Sequence, residues 1–590
     1  LGGAGATAAR FAADEGAKVL LVDSAPEGYE GGNTRYSAQM ISTTRDYGSE
    51  KKYFAALTKP MHYDEEVANT FVEGMANIST YLQKYLGVEH PYSYREDFIG
   101  NPKFAAFDKA LRDNTVEYKD FPGADQHDVL GATHGFFDAG LWKKLRAEVV
   151  KRENIDVWFA SPAKHLIMND EVVVVGAQIE HEHVLRNIAA TNGVVLATGG
   201  FENNQEMIED YLGASRLIPL GTLYNKGIGI KLGKEAGAQM WHMNNFESLG
   251  LYHGTALKVA EGERGQLLLG HWPAATDGSV FLAGDDGSRY CCEEETNRHG
   301  HVYSHGYWRT PQNQDHPHII FDQKQYAKFA EKGPVADVLE RIIKAETLEE
   351  LAEKIDANAE VLSRQINEFN KFVENGCDYA FHRDPKTMAK FDEVGPYYAL
   401  AVQQTVLNTQ GGPRRNARAE VVAPDNQPIP HLYSAGELGG VSAGRYQAGE
   451  NIAECLISGK IAGQNAAWPK EKIADIEVVS TTEYDANSGA SESEATNEHE
   501  FTTEDNQYLG TSDAGMGGTM TVRVTLGENK AIEQVEVLKQ TETGIGQKAI
   551  QTLPNKMVEA NTYEVDSVTG ASATSRALKE AVKKAIESAE

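Results

Sequence analysis

The stretch HLYSAGELGGVSAGRYQAGENIAECLISGKIAG, His431 to Gly463, reads as three pieces in a row. A short buried strand, Leu432 to Ala435, leads into a glycine-rich loop and then into a helix that begins near Gly449. Ile452, Leu456 and Ile457 fall on one face of that helix, while Gly459 and Gly463 let a neighbouring element come close. A helix N-terminus behind such a loop presents unpaired N–H groups and a positive dipole end to whatever sits there. Arg445 stands in the middle of the loop, where a hydrophobic core has no use for a guanidinium.

Around this stretch the chain is long enough, at 590 residues, to need more than one core. A hydrophobic content of 41% suits a globular protein, and no run of about 18 apolar residues reads as a membrane span. The formal charge of −30 argues against nucleic acid or an anionic membrane surface as a partner. Cys291, Cys292, Cys377 and Cys455 make neither a CxxC pair nor a disulfide framework. Leu1 runs straight into GGAGATAA with no methionine and no preceding strand, so the chain is read as truncated at its start.

Gly2, Gly3 and Gly5 open an alanine-rich helix that runs to about Gly16, followed by the strand Lys18 to Val22 and then Asp23. This is the second half of a dinucleotide fold. A tight glycine turn lets backbone approach a pyrophosphate, and an acidic strand end takes ribose hydroxyls. The loop Gly31-Gly32-Asn33-Thr34 offers backbone and hydroxyl donors at low bulk. Helical patterns fill Lys51 to Leu86, and Asp138 is expected to cap a helix bearing Leu141, Leu145 and Val149. Further strands are expected at Ile155 to Phe159 and at Gly193 to Ala197, the latter closing on Thr198-Gly199-Gly200.

From Trp241 to about Gln403 histidines and aromatics increase, and Thr347-x-x-Glu350 forms a capping box. The expected organisation is an α/β, Rossmann-like domain in two parts, residues 1–238 and 405–468, with an α+β capping domain inserted at 239–404. Residues 469–505 are small, polar and acidic, a composition expected of a disordered linker. Residues 506–590 form a separate small α+β domain with alternating runs at Met520 to Leu526 and Ile532 to Val537.

The first 468 residues resemble the fumarate reductase flavoprotein family, which includes urocanate reductases and ketosteroid dehydrogenases. The resemblance rests on GGAG…VD (Gly2 to Asp23), GGNT (Gly31 to Thr34), LATGGFENN (Leu196 to Asn204), KGIGIKLGKEAGA (Lys226 to Ala238), NTQGGP (Asn408 to Pro413) and AGELGG…GRYQAGENIAE (Ala435 to Glu454). It implies non-covalent FAD contacted by Gly2, Gly3, Gly5, Asp23, Gly32, Asn33, Thr34, Thr198, Gly199, Gly200, Glu437, Asn451 and Ile452. The opening stretch is then expected to hold the flavin ring on one side and a substrate carboxylate on the other.

The tail resembles the FMN-binding domain of flavinylated electron-transfer proteins through Asp566-Ser567-Val568-Thr569-Gly570-Ala571-Ser572. This implies covalent FMN, joined through its phosphate to Ser572 by a dedicated FMN transferase. An ordinary serine helix cap is the plainer alternative. A phosphate diester at a helix start gains free N–H groups and the dipole.

Two flavins imply a path from an outside donor (a quinol dehydrogenase, cytochrome or flavoprotein) through FMN to FAD and on to a small alkene substrate. Arg445 is the candidate carboxylate clamp, through paired hydrogen bonds. Arg298 stands where fumarate reductases carry an arginine proton donor. Because arginine is a poor acid, Glu294 or Glu295 is expected to relay protons to it. His299 and His301 lack a third metal ligand, so no metal is assigned. Asn408 replaces the substrate-binding histidine of fumarate reductases, which weakens the case for a second substrate carboxylate. Trp241, Trp308 and Tyr446 suggest an aromatic pocket instead.

The leading reading is a reductase of a conjugated C=C bond. A dehydrogenase working in the desaturating direction and a non-catalytic flavin carrier remain as alternatives. Because domains flavinylated in this way often work in respiratory or extracellular electron transfer, an extracytoplasmic or cell-surface, membrane-associated setting in anaerobic respiration is expected, with a cytoplasmic one left open by the truncated start.

Overall fold

The computed structural model describes residues 1–96, 115–133, 138–268, 272–294, 298–304, 306–309, 314–331, 338–470, 483–484, 501–512, 520–540, 545–568 and 572–589. The chain divides into two compact units, Leu1–Ala486 and Asn487–Glu590.

In the first unit, helix α1 (Gly3–Asp14) is rich in alanine and buried along nearly its whole length. Strand β1 (Val19–Val22) follows it and pairs in parallel with β2 (Ile155–Trp158). A second parallel pairing joins β3 (Val194–Leu196) to β4 (Pro428–Ser434). Parallel strands need crossovers and covered faces, and α1 together with α2 (Glu450–Ala467) packs on these strands. This is the expected α/β, Rossmann-like arrangement. The two helices touch backbone to backbone: a Cβ on Gly463 would stand 2.2 Å from Ala8 O. Strand β4 starts earlier than its apolar run because its first residues also pair with Glu420–Val422.

Asp138 does not cap its helix in the expected place. The helix Gly140–Val150 is preceded by Ala139 in the left-handed region (φ 56°), and Asp138 Oδ1 accepts from Gly140 N at 2.8 Å. The carboxylate closes the turn from one residue farther out.

The capping segment is built on the strand Tyr397–Val406, which is buried along almost its full length. Ile218–Pro219, Thr255–Leu257, His318–Asp322 and Ile342–Ala345 all pair with it. The sheet therefore takes in Ile218–Pro219 and runs on to Val406, so its edges lie outside 239–404. Thr347 caps Leu348–Lys354 by accepting from Glu350 N at 3.2 Å. Phe369 of the helix Ala359–Asn375 packs on Phe281 and Phe391.

Most of the segment read as a linker lies outside the described residues. Within it, Glu483–Tyr484 pairs antiparallel with Arg186 and Leu185 as an edge strand of the first unit.

The second unit is an antiparallel sheet of β5 (Gln507–Ser512), β6 (Met520–Leu526) and β7 (Ile532–Lys539) with helices α3 (Ile545–Ala560) and α4 (Ser572–Glu587). Alternation along β6 turns Met520, Val522, Val524 and Leu526 into a core shared with Leu553, Met557, Leu578 and Val582. Residues 569–571 of the expected attachment motif lie outside the described residues, as does Gly544, and Ser572 is the first residue of α4. Within α4 the Ser575 hydroxyl accepts from Val568 N at 3.1 Å.

Candidate active site

A cavity of about 1540 Å³ runs through the first unit. Gly2, Gly3 and Gly5 from the start of α1, and Asp23 beyond β1, line it, as do Gly32, Asn33 and Thr34. Gly3 N donates to Thr34 Oγ1 at 3.0 Å, which ties the helix start to that loop. Thr198 and Gly199 follow β3, Glu437 follows β4, and Asn451 and Ile452 come from the first turn of α2. Asn408 lines the same cavity. Gly200 stands behind the wall, where a Cβ would meet Thr409 Oγ1 at 2.1 Å and its N–H bonds Glu437 Oε1 at 3.1 Å.

The polar groups along this wall fit FAD. Asn451 is 5% exposed, yet both of its amide atoms lack a partner among the described residues, and so does Thr198 Oγ1. Buried polar groups left in that condition cost about 1–3 kcal/mol each, and a polar ligand in the cavity supplies the missing bonds. The N-termini of α1 and α2 both open onto the same space.

The glycine-rich loop is clamped from below by Arg415, whose guanidinium donates to Leu438 O at 2.9 Å and Gly436 O at 3.0 Å and also pairs with Glu454 of α2. Glu437 is the hub beside it. Its Oε1 accepts from Asn33 Nδ2 at 3.0 Å and Asn225 Nδ2 at 3.0 Å. Glu202 Oε1 shares Asn33 Nδ2 at 3.2 Å and accepts Thr409 N at 3.0 Å. Burial pushes Glu202 up to about 7. Burial and then the nearby Glu202 raise Glu437 well above the ordinary carboxylate range. Burial and mutual repulsion both favour the protonated form of this pair. Sequence reasoning named Glu437 but missed Glu202, which was legible only as part of GGFENN.

At the other end Glu117, His299 and Tyr446 line the cavity beside Asn408. His299 Nδ1 lies 3.0 Å from Glu117 Oε2, with both side chains nearly buried. Burial opposes the imidazole charge, but the Glu117 carboxylate, with Glu247 behind it, wins and holds His299 above its ordinary range. The Tyr446 ring meets the His299 ring edge-on at 4.7 Å. His301 Nε2 pairs with Glu247 Oε2 at 2.8 Å. Asn245 Nδ2 bonds Glu247 Oε1 at 3.1 Å and Gln410 Oε1 at 2.8 Å, and Gln410 Nε2 donates to Asn408 Oδ1 at 2.8 Å. That chain fixes the Asn408 amide, so Nδ2 is the group it can present to a ligand. Among the described residues no group of His, Cys, Asp and Glu could hold a metal ion.

Arg298 and Arg445 are not among the residues lining the cavity. The Arg445 guanidinium lies 5.0 Å from the Phe121 ring and donates to Ala56 O at 2.5 Å. Gly444 (φ 97°) lets this loop approach: a Cβ there would meet Leu57 O at 2.7 Å, and Arg445 N donates to Leu57 O at 2.9 Å. Arg298 lies 5.2 Å from the Tyr118 ring.

The Glu294 carboxylate lines the cavity and accepts from Asp384 N and, at 2.7 Å, from Thr387 Oγ1. Glu295 lies outside the described residues. Trp241 is also placed otherwise than expected: it stacks on His242 at 4.4 Å, donates to Gly439 O at 3.0 Å and supports the loop from outside the cavity. The side chain of Trp308 lies outside the described residues. Nothing in the sequence marked Glu117, an acid between Val116 and Tyr118.

Fold and cavity together define an FAD-dependent flavoprotein oxidoreductase. The chain belongs to the FAD binding domain family, whose model matches residues 2–452, and the FMN-binding domain model matches residues 515–587. Its relatives include the protein named "Probable fumarate reductase Ifc3" of Shewanella frigidimarina (strain NCIMB 400), 29% identical over 472 residues, covering 79% of this chain and 73% of that one. NADH:acrylate oxidoreductase of Vibrio harveyi is 25% identical, and the match covers 79% of this chain and 49% of that protein. Among solved structures, the open conformation of a flavocytochrome c3 fumarate reductase superposes with a TM-score of 0.55 at 25% identity, covering 79% of this chain and 77% of that one.

Proposed function

We propose that this protein is a reductase of a conjugated C=C bond in a small, carboxylate-bearing organic acceptor, with electrons entering through FMN on the tail and leaving through FAD in the first unit. The observation that carries the reading is the single cavity, which joins the nucleotide half-motif at Gly2 to Asn408, Glu117, His299 and Tyr446. The names of the relatives, a fumarate reductase and an acrylate oxidoreductase, support an enoic acid as the substrate class. FAD, when bound, supplies hydride transfer to the alkene.

Gly2, Gly3, Gly5, Asp23, Asn33, Thr34, Thr198, Glu437, Asn451 and Ile452 would hold FAD. Arg445 and Arg298, which stand outside the cavity lining, lend positive charge to the substrate carboxylate from behind the wall. Asn408 offers one neutral donor, which favours a monocarboxylate over a dicarboxylate. On the tail, FMN is joined through its phosphate to Ser572 by an FMN transferase. A quinol dehydrogenase, cytochrome or flavoprotein delivers the electrons, in an extracytoplasmic or cell-surface setting of anaerobic respiration. No helix among the described residues is long and apolar enough to cross a membrane.

Anaerobic titration tests the reading. Protein reduced with a viologen should be reoxidised by at least one of a cinnamate-like acid, urocanate or fumarate. Reoxidation by none of them sinks the reductase assignment. Reduction of the flavin by the saturated acids would instead establish the desaturating direction.

A further inference from the structure

Three segments distant in sequence bring polar groups to one end of the cavity: Glu117, His299 and Tyr446. His299 has its backbone in the left-handed region (φ 53°), a conformation that a non-glycine residue adopts at some cost. Its carbonyl is held by Ser248 N at 2.9 Å, and its ring is held by Glu117 and by the edge of Tyr446. The ring is therefore set in place by contacts on several sides. With Nδ1 on the carboxylate, Nε2 is the nitrogen turned away from Glu117. This is the geometry in which a carboxylate orients an imidazole and stabilises its charged form.

Arg298, the donor implied by the family resemblance, is poorly suited to that task here. A guanidinium keeps its proton at any pH a protein survives, this one lies over the Tyr118 ring, and Glu294 accepts from Asp384 N and Thr387 Oγ1.

We infer that His299, oriented by Glu117, is the proton donor to the substrate, in the place that the resemblance gives to Arg298. This rests on the reductase reading. The Nε2–H bond breaks and a C–H bond forms at the alkene carbon that does not receive hydride. The pair that takes up this proton is the alkene π pair, left on that carbon once the other carbon has accepted the hydride that FAD, when bound and reduced, would supply; the imidazolium becomes neutral imidazole, and the ring recovers its proton from water between turnovers.

The charged and titratable groups around His299 are Glu117 at its Nδ1, the adjacent Arg298, Tyr446 at its edge, and Glu247, which His301 engages. Burial opposes the imidazolium and the two carboxylates favour it. Glu117 outweighs burial, so the direction is upward.

The test uses the full FAD-loaded chain and three variants, His299→Gln, Glu117→Gln and Arg298→Lys. In substrate-free protein, the imidazole resonance that is missing from His299→Gln should titrate above the ordinary value of about 6.5 and fall in Glu117→Gln. In turnover with the acid that reoxidises the wild type, His299→Gln should lose about 10²-fold or more in kcat, with FAD content and viologen reduction of the flavin unchanged. The alkaline limb of the kcat profile should move to lower pH in Glu117→Gln. Wild-type turnover in His299→Gln, with loss confined to Arg298→Lys, overturns the assignment and leaves the reductase reading standing. A resonance that titrates identically in Glu117→Gln overturns it as well. If the wild type reduces no acid at all, the reading and the donor assignment fall together.

Discussion

Arg298 and Arg445, far apart in the chain, are tied to one aromatic pair. Arg298 lies 5.2 Å from the Tyr118 ring and Arg445 5.0 Å from the Phe121 ring, and the two rings stack on each other at 5.2 Å. A guanidinium over a ring gains about 0.5–2 kcal/mol, depending on burial, so the stack holds together two cations that mutual repulsion would otherwise spread. Arg445 comes from the glycine-rich loop and Arg298 from the capping segment, so the pair couples those two parts of the first unit.

Phe121→Leu should loosen Arg445 without removing its charge. The expected result is a higher KM for the acid with FAD content unchanged. Arg445→Lys goes further: it keeps the charge but loses the planar fork, and should lower kcat/KM about tenfold or more through both KM and kcat. Steady-state kinetics with the acid found by titration measure both, and unchanged constants in Arg445→Lys would refute the clamp.

The contact between α1 and α2 has no room for a side chain. A Cβ at Gly463 meets Ala8 O at 2.2 Å and one at Gly459 meets Ala4 O at 2.9 Å. Gly463→Val should push the helices apart at a cost of about 3 kcal/mol and, because both helix N-termini line the cavity, should weaken FAD retention. Thermal unfolding and the flavin-to-protein absorbance ratio check this. A Tm equal to wild type would show that the packing is looser than described.

The Glu202–Glu437 pair makes stability depend on pH. Folding raises Glu202 from 4.5 to about 7 and Glu437 in the same direction. The folded state therefore keeps a proton that the unfolded chain has already released. Its contribution is complete below about 4.5 and is lost as pH rises through the folded value near 7. Glu202→Gln should flatten that decline by on the order of 2 kcal/mol between pH 5 and pH 8. Denaturant midpoints across that range are the measurement, and a slope equal to wild type would count against the pair.

Ser572 begins α4. Coexpression with an FMN transferase should raise the intact mass by one FMN moiety, and Ser572→Ala should show no increase. An increase that persists in Ser572→Ala would move the attachment elsewhere.

The local patterns in the chain specified the elements that local chemistry controls. The glycine start of α1, the alternation in β6, the Thr347 cap and the small residues of α2 all stand where periodicity and capping rules put them, because backbone geometry and burial act over a few residues. Boundaries were less legible. Strand β4 is lengthened by its pairing with Glu420–Val422, and Asp138 closes a turn through a left-handed Ala139. Both depend on distant or neighbouring backbone that no local rule includes.

The site divides in the same way. The first glycines were legible because a nucleotide-binding turn requires them at close spacing, and Glu437, Asn451, Thr198 and Asn33 were named through the motifs that carry the family resemblance. Glu117, Glu202 and Glu247 were not, since a lone acid in sequence carries no sign of its partner. The motifs, through the family resemblances they carry, pointed to an α/β flavoprotein with a second flavin domain. Only the tertiary structure decided that Trp241 props a loop, that Glu294 meets Asp384 and Thr387, that the Asn408 amide offers its Nδ2, and that His299 rests on Glu117. Those outcomes depend on which side chains meet in three dimensions, and burial gives each meeting its electrostatic weight.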